Sequence, residues 1–390
     1  MLTAGIIAEY NPFHNGHALH IQRVRQMGAD AVVCVISGCF TQRGEPAVIS
    51  KRARTVCALK GGADVVISMP AEYSCAPAAD FARAGVYLLD AFGGVDVLSF
   101  GSETGDINLL LQKEEIIRLC GGEIKTEMKN GAGYAAAVQS VLDEKLGASL
   151  TMANDILGCE YIAAAKSMGA DFEFWPIRRE GVLHNGTADE ALKIASASFI
   201  RGKIAGNEEY SVYLPEYAAD IIEDEKKQGF APCFENERFG IAVLSRLRMM
   251  SRDDIKRVRG VSEGLENRII SAVRQSSTLE QAVKLCVTKR YTAARVRRCM
   301  VAAAAGLFSQ GDSPEYIRVL GFTKTGEQLI KKAAATSKLP IVTGYSQIKK
   351  ISRAAEKQFE KECAACDLYD FSLPLIQPSG REMTFKTVRI

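Results

Sequence analysis

Within the first hundred residues, four short β-branched, apolar runs alternate with three helix-length stretches, and that alternation leaves few architectures open. The runs cover residues 3–8, 30–37, 64–69 and 96–100, and the helical stretches between them cover 17–27, 50–61 and 78–92. Near-continuous Val/Ile runs separated by helices are what strands buried on both faces of a parallel sheet require. The pattern predicts a doubly wound α/β domain whose ligand lies beyond the carboxyl ends of the strands. From residue 107 to about 203 the chain reads as mostly helical. Helices are expected at 132–146 and 156–168, a further strand at 172–177, and a serine-capped helix opening at Ser196 and running through Arg201. A polar, acidic stretch over 207–227 marks a boundary, so residues 1–210 and 211–390 are expected to form two domains. The second reads as mainly helical, apart from a short strand at 340–343 and an irregular tail after Ser372.

Composition narrows the setting. The chain has 390 residues, of which 47% are hydrophobic and 24% charged, and a net charge of +3 that points to no partner by itself. No signal-like segment precedes the first run and no apolar stretch approaches a membrane span, so a cytoplasmic protein is expected. Eleven dispersed cysteines fit reduced thiols. Cys363 and Cys366 form a lone CxxC, and because a structural zinc takes four ligands, no metal site is expected there.

Three of the four histidines, His14, His17 and His20, fall within seven residues directly after the first strand. The segment Glu9-Tyr10-Asn11-Pro12-Phe13-His14-Asn15-Gly16-His17 reads as a strand, a Pro-containing turn and a helix start near Gly16, with Asn15 as its N-cap. Unpaired N–H groups at a helix start suit a phosphate, and two imidazoles flanking a glycine add donors for the same anion. A nucleoside triphosphate site is therefore expected here. A histidine metal site is disfavoured, since three-residue steps fan the rings apart and no HExxH carboxylate is present.

Other groups are expected at the same sheet edge. Arg43, Lys51 and Arg54 follow the second strand and are candidates for phosphate contact. Gly101 lets a ring or ribose approach the backbone, Arg178 and Arg179 end the later strand, and Asn154 opens a helix. Arg201 stands near a helix start suited to an anion. Between Arg246 and Arg298 there are fourteen Lys/Arg against five Asp/Glu, an electrostatic footprint for a polyanion. Within it Arg290, Arg295, Arg297 and Arg298 lie beside Tyr291 on one expected helix and are candidate RNA contacts.

With these residues in view, the chain resembles the HxGH nucleotidyltransferase superfamily through His14-Asn15-Gly16-His17 and through Ser196-Ala197-Ser198-Phe199-Ile200-Arg201. Within it, the chain is most similar to the bacterial tRNA(Met) cytidine acetate ligases. The carriers are the string Glu9 to His17, the string Ser37 to Pro46, Phe100-Gly101-Ser102-Glu103 and Arg318-Val319-Leu320-Gly321-Phe322. The resemblance implies ATP-dependent activation of acetate to acetyl-adenylate, with pyrophosphate released. The acetyl group then passes to the exocyclic amine of the wobble cytidine of elongator tRNA(Met), giving N4-acetylcytidine and AMP. It places ATP against Ile7, Ala8, Glu9, Tyr10, Asn11, Pro12, Phe13, His14, Asn15, Gly16, His17, Ala18, Leu19 and His20, together with Gly101, Asn154 and Arg179. Magnesium is expected with the triphosphate. His14 and His17 are the expected catalytic donors, Arg179 and Arg201 supporters near the leaving group, and Glu9 and Glu103 candidate proton acceptors.

Three positions depart from the family pattern. Cys39 stands for an expected Asn or Asp, Ala153-Asn154-Asp155 for Pro-Asn-Asn, and Leu183-His184-Asn185 for Tyr-His-Asp. The rival readings are a nucleotidyltransferase adenylylating a small phosphorylated acceptor and a non-catalytic RNA-binding protein.

Overall fold

The computed structural model describes residues 1–147, 153–179, 192–309, 311 and 313–390. Five strands build a parallel sheet: β1 (Thr3–Ala8), β2 (Ala31–Ile36), β3 (Val65–Ser68), β4 (Val97–Ser102) and β5 (Glu173–Arg178). Their spatial order is β5-β4-β1-β2-β3, with every neighbouring pair parallel. The chain winds outward from β1 through β2 to β3, then returns to the other side of β1 for β4. The switch point therefore lies between β1 and β4, where a doubly wound sheet opens its crevice.

β2 shows why this arrangement forms. Val32, Cys34 and Ile36 join one apolar core with Ile21 and Val24 of the helix Asn15–Gln26. Ala31, Val33 and Val35 join the opposite core with Leu88 and Leu89 of the helix Ala78–Phe92. All six residues are buried, so the period-two alternation meets apolar layers on both faces. A Cβ on Gly5 would stand 2.7 Å from Leu89 and one on Gly85 2.7 Å from Ile7, so these two glycines let that helix seat directly on β1.

The second half departs from its expected helical character. β6 (Ile317–Phe322) pairs antiparallel with β3, and β7 (Ile341–Val342) and β8 (Val388–Arg389) both pair parallel with β6. The strand at β6 and the ordered end of the tail were both unforeseen. Arg318 and Gly321 interrupt the apolar run of β6 and hide its period. Arg318 is buried by an ion pair with Glu382 of the tail, while a Cβ on Gly321 would stand 2.8 Å from Thr55.

The helices Glu237–Arg248, Leu265–Gln275, Leu279–Cys286 and Ala293–Ala304 pack around a core of their own. Phe40 and Ala47, from the loop after β2, and Tyr369 enter that core. The loop leaving the carboxyl end of β2 is thus anchored on the helical block. Gly44, at φ 78°, presses against it so closely that a Cβ would lie 2.5 Å from Arg298 Cα. Among the described residues no helix is long and apolar enough to cross a membrane.

Candidate active site

A cleft of about 500 Å³ opens at the switch point, walled by the carboxyl ends of β1, β4 and β5 and by the first turns of the helix Asn15–Gln26. The chain enters it through Tyr10, whose φ of 49° turns the backbone through the left-handed region. The Tyr10 ring is buried edge-on to Phe13 and His17, at centroid distances of 4.9 and 4.8 Å.

His14, not Asn15, caps the helix. Its Nδ1 accepts from Gly16 N at 3.1 Å, and His17 Nδ1 accepts in return from His14 N at 3.3 Å, a capping box built from two imidazoles. Asn15 instead donates through Nδ2 to the carbonyls of Lys193 and Val212. The capping box has a chemical consequence. It consumes the Gly16 N–H that an anion would use, while His17 N and Ala18 N bond to His14 O. Each Nδ1 accepts, so each neutral ring carries its proton on Nε2. The rings stack at 3.6 Å and 21°, and the donors this turn leaves unbonded on them are the Nε2–H groups, since the Gly16, His17 and Ala18 N–H groups are taken by His14.

The rings stay neutral for identifiable reasons. Burial, then the charges of Arg179 and Arg201, lower His14 to about 3. Burial foremost, then His14, Arg179 and His20, hold His17 well below the usual range. Burial and Arg179 bring His20 down to about 4. His20 Nε2 lies 2.8 Å from Ser99 Oγ, whose own proton goes to the Trp175 carbonyl, so His20 is the donor in that bond.

Of the motif residues, Ile7, Ala8, Glu9, Tyr10 and Asn11 line the cleft, as do His14, Gly16, His17, Leu19 and His20. Pro12, Phe13, Asn15 and Ala18 are not on its wall; Phe13 is buried in the core, where a Cβ on Gly61 would touch its ring at 2.5 Å. Gly101, Asn154, Arg178 and Arg179 complete the far wall, and Arg43 reaches it from the β2 loop. A Cβ on Gly101 would meet the Arg179 side chain at 3.6 Å and narrow the opening. Arg23 also lines the cleft and was not anticipated. Its signal was the three-residue step from His17 through His20 along one helix face.

Several expected ligands turn out to be structural. Arg54, fully buried, donates to the backbone carbonyls of Glu9, Ser37 and Gly38, tying the loops after β1 and β2 together. Lys51 is buried against Glu382, which also takes Arg318. Neither cation is available to a phosphate. Arg201 donates to Asn11 O at 2.9 Å and reaches Glu45 at 3.4 Å, so it braces the β1 loop from behind rather than lining the cleft.

Glu103 is likewise committed. Its carboxylate receives the Asn154 side-chain amide and the Asp155 N–H at 2.9 Å, capping the helix Ala153–Met168. Asp155, buried, accepts from Ser102 Oγ at 2.6 Å and Lys113 Nζ at 2.8 Å and so fixes the β4 loop. Asn154 therefore sits in the first turn, oriented by Glu103, and is not the N-cap.

Among the RNA candidates, Arg298 points inward to Gln42 O at 3.2 Å and is 9% exposed, which removes it from the surface. Arg290, Arg295 and Arg297 remain half-buried, bonded to Lys129 O, Gly260 O and Glu235 respectively. Cys363 and Cys366 are buried in the helix Arg353–Tyr369. Cys366 groups with Cys39 and Glu382, but Glu382 already holds two cations that would oppose a metal ion. Leu183, His184 and Asn185 lie outside the described residues.

Fold and cleft together define a nucleotidyltransferase of the HxGH type. The chain belongs to the HIGH nucleotidyl transferase family, matched over residues 1–382, and within it to the tRNA(Met) cytidine acetate ligases. It is 36% identical to the tRNA(Met) cytidine acetate ligase of Acetivibrio thermocellus over 98% of this chain and 99% of that one. It is 37% identical to that of Thermoanaerobacter sp. over 99% of both. The fold superposes on the crystal structure of Thermotoga maritima TmcAL bound with alpha-thio ATP. The TM-score is 0.90 and the identity 31%, covering 100% of this chain and 99% of that one.

Proposed function

We propose that this enzyme is an ATP-dependent tRNA(Met) cytidine acetate ligase, which activates acetate as acetyl-adenylate and acetylates the wobble cytidine of elongator tRNA(Met). One observation carries the reading. Two stacked neutral imidazoles stand at the switch-point cleft, each with its proton on Nε2, beside Arg23, Arg43, Arg178 and Arg179. In-line attack of an acetate oxygen on the α-phosphorus needs alignment and positive potential where charge builds, and little covalent help. His14 and His17 donate to the phosphates, Arg179 offsets their charge, and Gly101 and Asn154 shape the nucleotide's far side. Arg201 acts one step back, by holding Asn11.

The cleft wall offers Glu9 as its one carboxylate among the described residues. Magnesium therefore accompanies ATP chiefly on phosphate oxygens and water. Residues 1–210 carry the ATP chemistry. Residues 211–390 present the basic surface to tRNA, with Arg290, Arg295 and Arg297 as phosphate contacts. The reaction belongs in the cytoplasm, with the tRNA.

The test is acetate-dependent exchange of labelled pyrophosphate into ATP, for wild type and His17→Ala, with and without bulk tRNA, followed by nucleoside mass spectrometry. Exchange that needs acetate and is lost in the variant, with N4-acetylcytidine formed, is expected. No exchange would overturn the acetyl-adenylate route in favour of adenylyl transfer to a small phosphorylated acceptor.

A further inference from the structure

Acyl transfer to an amine must dispose of a proton, and the described cleft wall leaves one group to take it. His14 and His17 carry their protons on the nitrogens that Nδ1 capping leaves free, and His20 donates to Ser99. All three are donors. Glu103 and Asp155 are spent on the β4 loop, and Tyr134 donates its hydroxyl proton to Glu160 at 2.7 Å. Glu45 faces Arg201 and is absent from the wall.

Glu9 is the only carboxylate on the cleft wall among the described residues. Its Oε1 accepts the Gln42 N–H at 2.7 Å, which fixes the carboxylate between the loops after β1 and β2, and its Oε2 has no partner among the described residues. Arg54 donates to the Glu9 backbone carbonyl at 3.0 Å and holds the strand end itself. A carboxylate in a cleft for a polyanion works against ATP by charge alone. Its position is accounted for by a ligand that brings an N–H. Burial raises its pKa, and the Gln42 N–H with Arg201, Arg43 and Arg54 pulls it back. That balance suits a group that must be ionised before transfer and must hold a proton after it.

We propose that Glu9 is the catalytic base of the second half-reaction, accepting the proton of the cytidine exocyclic amine on Oε2. The inference rests on the acetyl-transfer reading above. The N4 lone pair forms the new N–C bond at the acetyl carbonyl, and the C–O bond to the AMP phosphate breaks with its electron pair leaving on AMP. The N4 proton passes to Glu9 and from there to water.

The test is single-turnover transfer from preformed, enzyme-bound acetyl-adenylate to tRNA, read as N4-acetylcytidine, beside pyrophosphate exchange on the same enzyme. Wild type is measured first. If it makes no acetyl-adenylate or no N4-acetylcytidine, the underlying reading fails and Glu9 is not at issue. In Glu9→Gln the amide oxygen still accepts the Gln42 N–H, and the transfer step should fall by about 10²–10⁴, far more than exchange falls. Wild-type transfer should rise with pH as Glu9 ionises, and that rise should vanish in the variant. Glu9→Asp keeps a carboxylate on a shorter arm, so its transfer should fall less while the rise with pH persists; it also serves if the amide variant does not fold. Transfer and exchange falling in parallel, or the same pH rise in Glu9→Gln, would overturn the proposal and leave Glu9 as part of the nucleotide site's framework.

Discussion

The proposed function gives His14 two separable jobs, and a pair of substitutions divides them. As N-cap, its Nδ1 satisfies Gly16 N. As donor, its Nε2–H would serve a ligand in the cleft that His14 lines. Replacing a capping side chain with Ala costs about 1 kcal/mol, whereas Asn is among the best caps. Removing one preorganised donor from a site of developing negative charge costs about 10²–10³ in rate, or about 2.7–4 kcal/mol. His14→Ala should therefore lower both the melting temperature and the exchange rate. His14→Asn should melt close to wild type, yet lose exchange by the same factor of about 10²–10³, because its shorter amide cannot occupy the Nε2 position. The assay is acetate-dependent pyrophosphate exchange at saturating ATP, with thermal unfolding in parallel. With His14 at about 3 and His20 at about 4, both are already neutral at mildly acidic pH. Wild-type exchange should show no histidine ionisation near the ordinary value of about 6.5. Exchange in His14→Asn within about threefold of wild type would refute the donor role. An ionisation near about 6.5 that disappears in the variant would show that the imidazolium, not the neutral ring, is the working form.

Other expectations follow from the buried ion pairs and the cleft wall. Asp155→Asn removes the buried charge that accepts from Lys113 and Ser102 and should cost about 3–5 kcal/mol in urea unfolding, with a higher KM for ATP because the β4 loop loosens. Burial works to raise the pKa of Asp155, but hydrogen bonds from Lys113 and Ser102 prevail and hold it below normal. Its stabilisation is therefore present above the unfolded-state pKa of about 3.9 and lost as pH falls through the lower folded value; acid unfolding of the variant should lack that dependence. Glu382→Gln strands Lys51 and Arg318 against a neutral amide and should cost about 3–5 kcal/mol, with faster proteolysis of the tail; a wild-type melt would contradict it. Gly101→Leu should raise the KM for ATP by roughly tenfold with little change in melting, and an unchanged KM would place the nucleotide elsewhere. Arg290→Ala should reduce the salt slope of tRNA binding by about 0.7–0.9, whereas Arg298→Ala should lower stability and leave that slope alone.

The helix start illustrates how far local reading goes. The strand, the turn and the helix after Glu9 were legible because each depends on residues within a few positions of one another. Which residue capped the helix was not, because Asn15 and His14 are both competent and the choice was settled by carbonyls at Lys193 and Val212. β6 was missed for the same kind of reason. A charge in the middle of an apolar run argues against burial until its partner is known, and the partner of Arg318 lies 64 residues away. The roles of the basic residues after β2 divided similarly. Arg43 reached the cleft, while Lys51 and Arg54 were consumed inside the protein.

The sequence by itself determined the parallel core of the α/β sheet and the place of the histidines, directly after its first strand. Near-continuous apolar runs separated by helices can be buried in few other ways, and a strand–turn–helix motif carries its geometry with it. Only the tertiary structure decided which charged groups reach the cleft and which are taken up by the fold. A buried charge is defined by its partner, and the partners here come from across the chain: Glu382 for Lys51, 331 residues away, and Gln42 for Arg298, 256 residues away. It also decided that the imidazoles on the cleft wall are neutral. That state depends on burial and on the arginines gathered around the rings, and neither can be read from residues in a row.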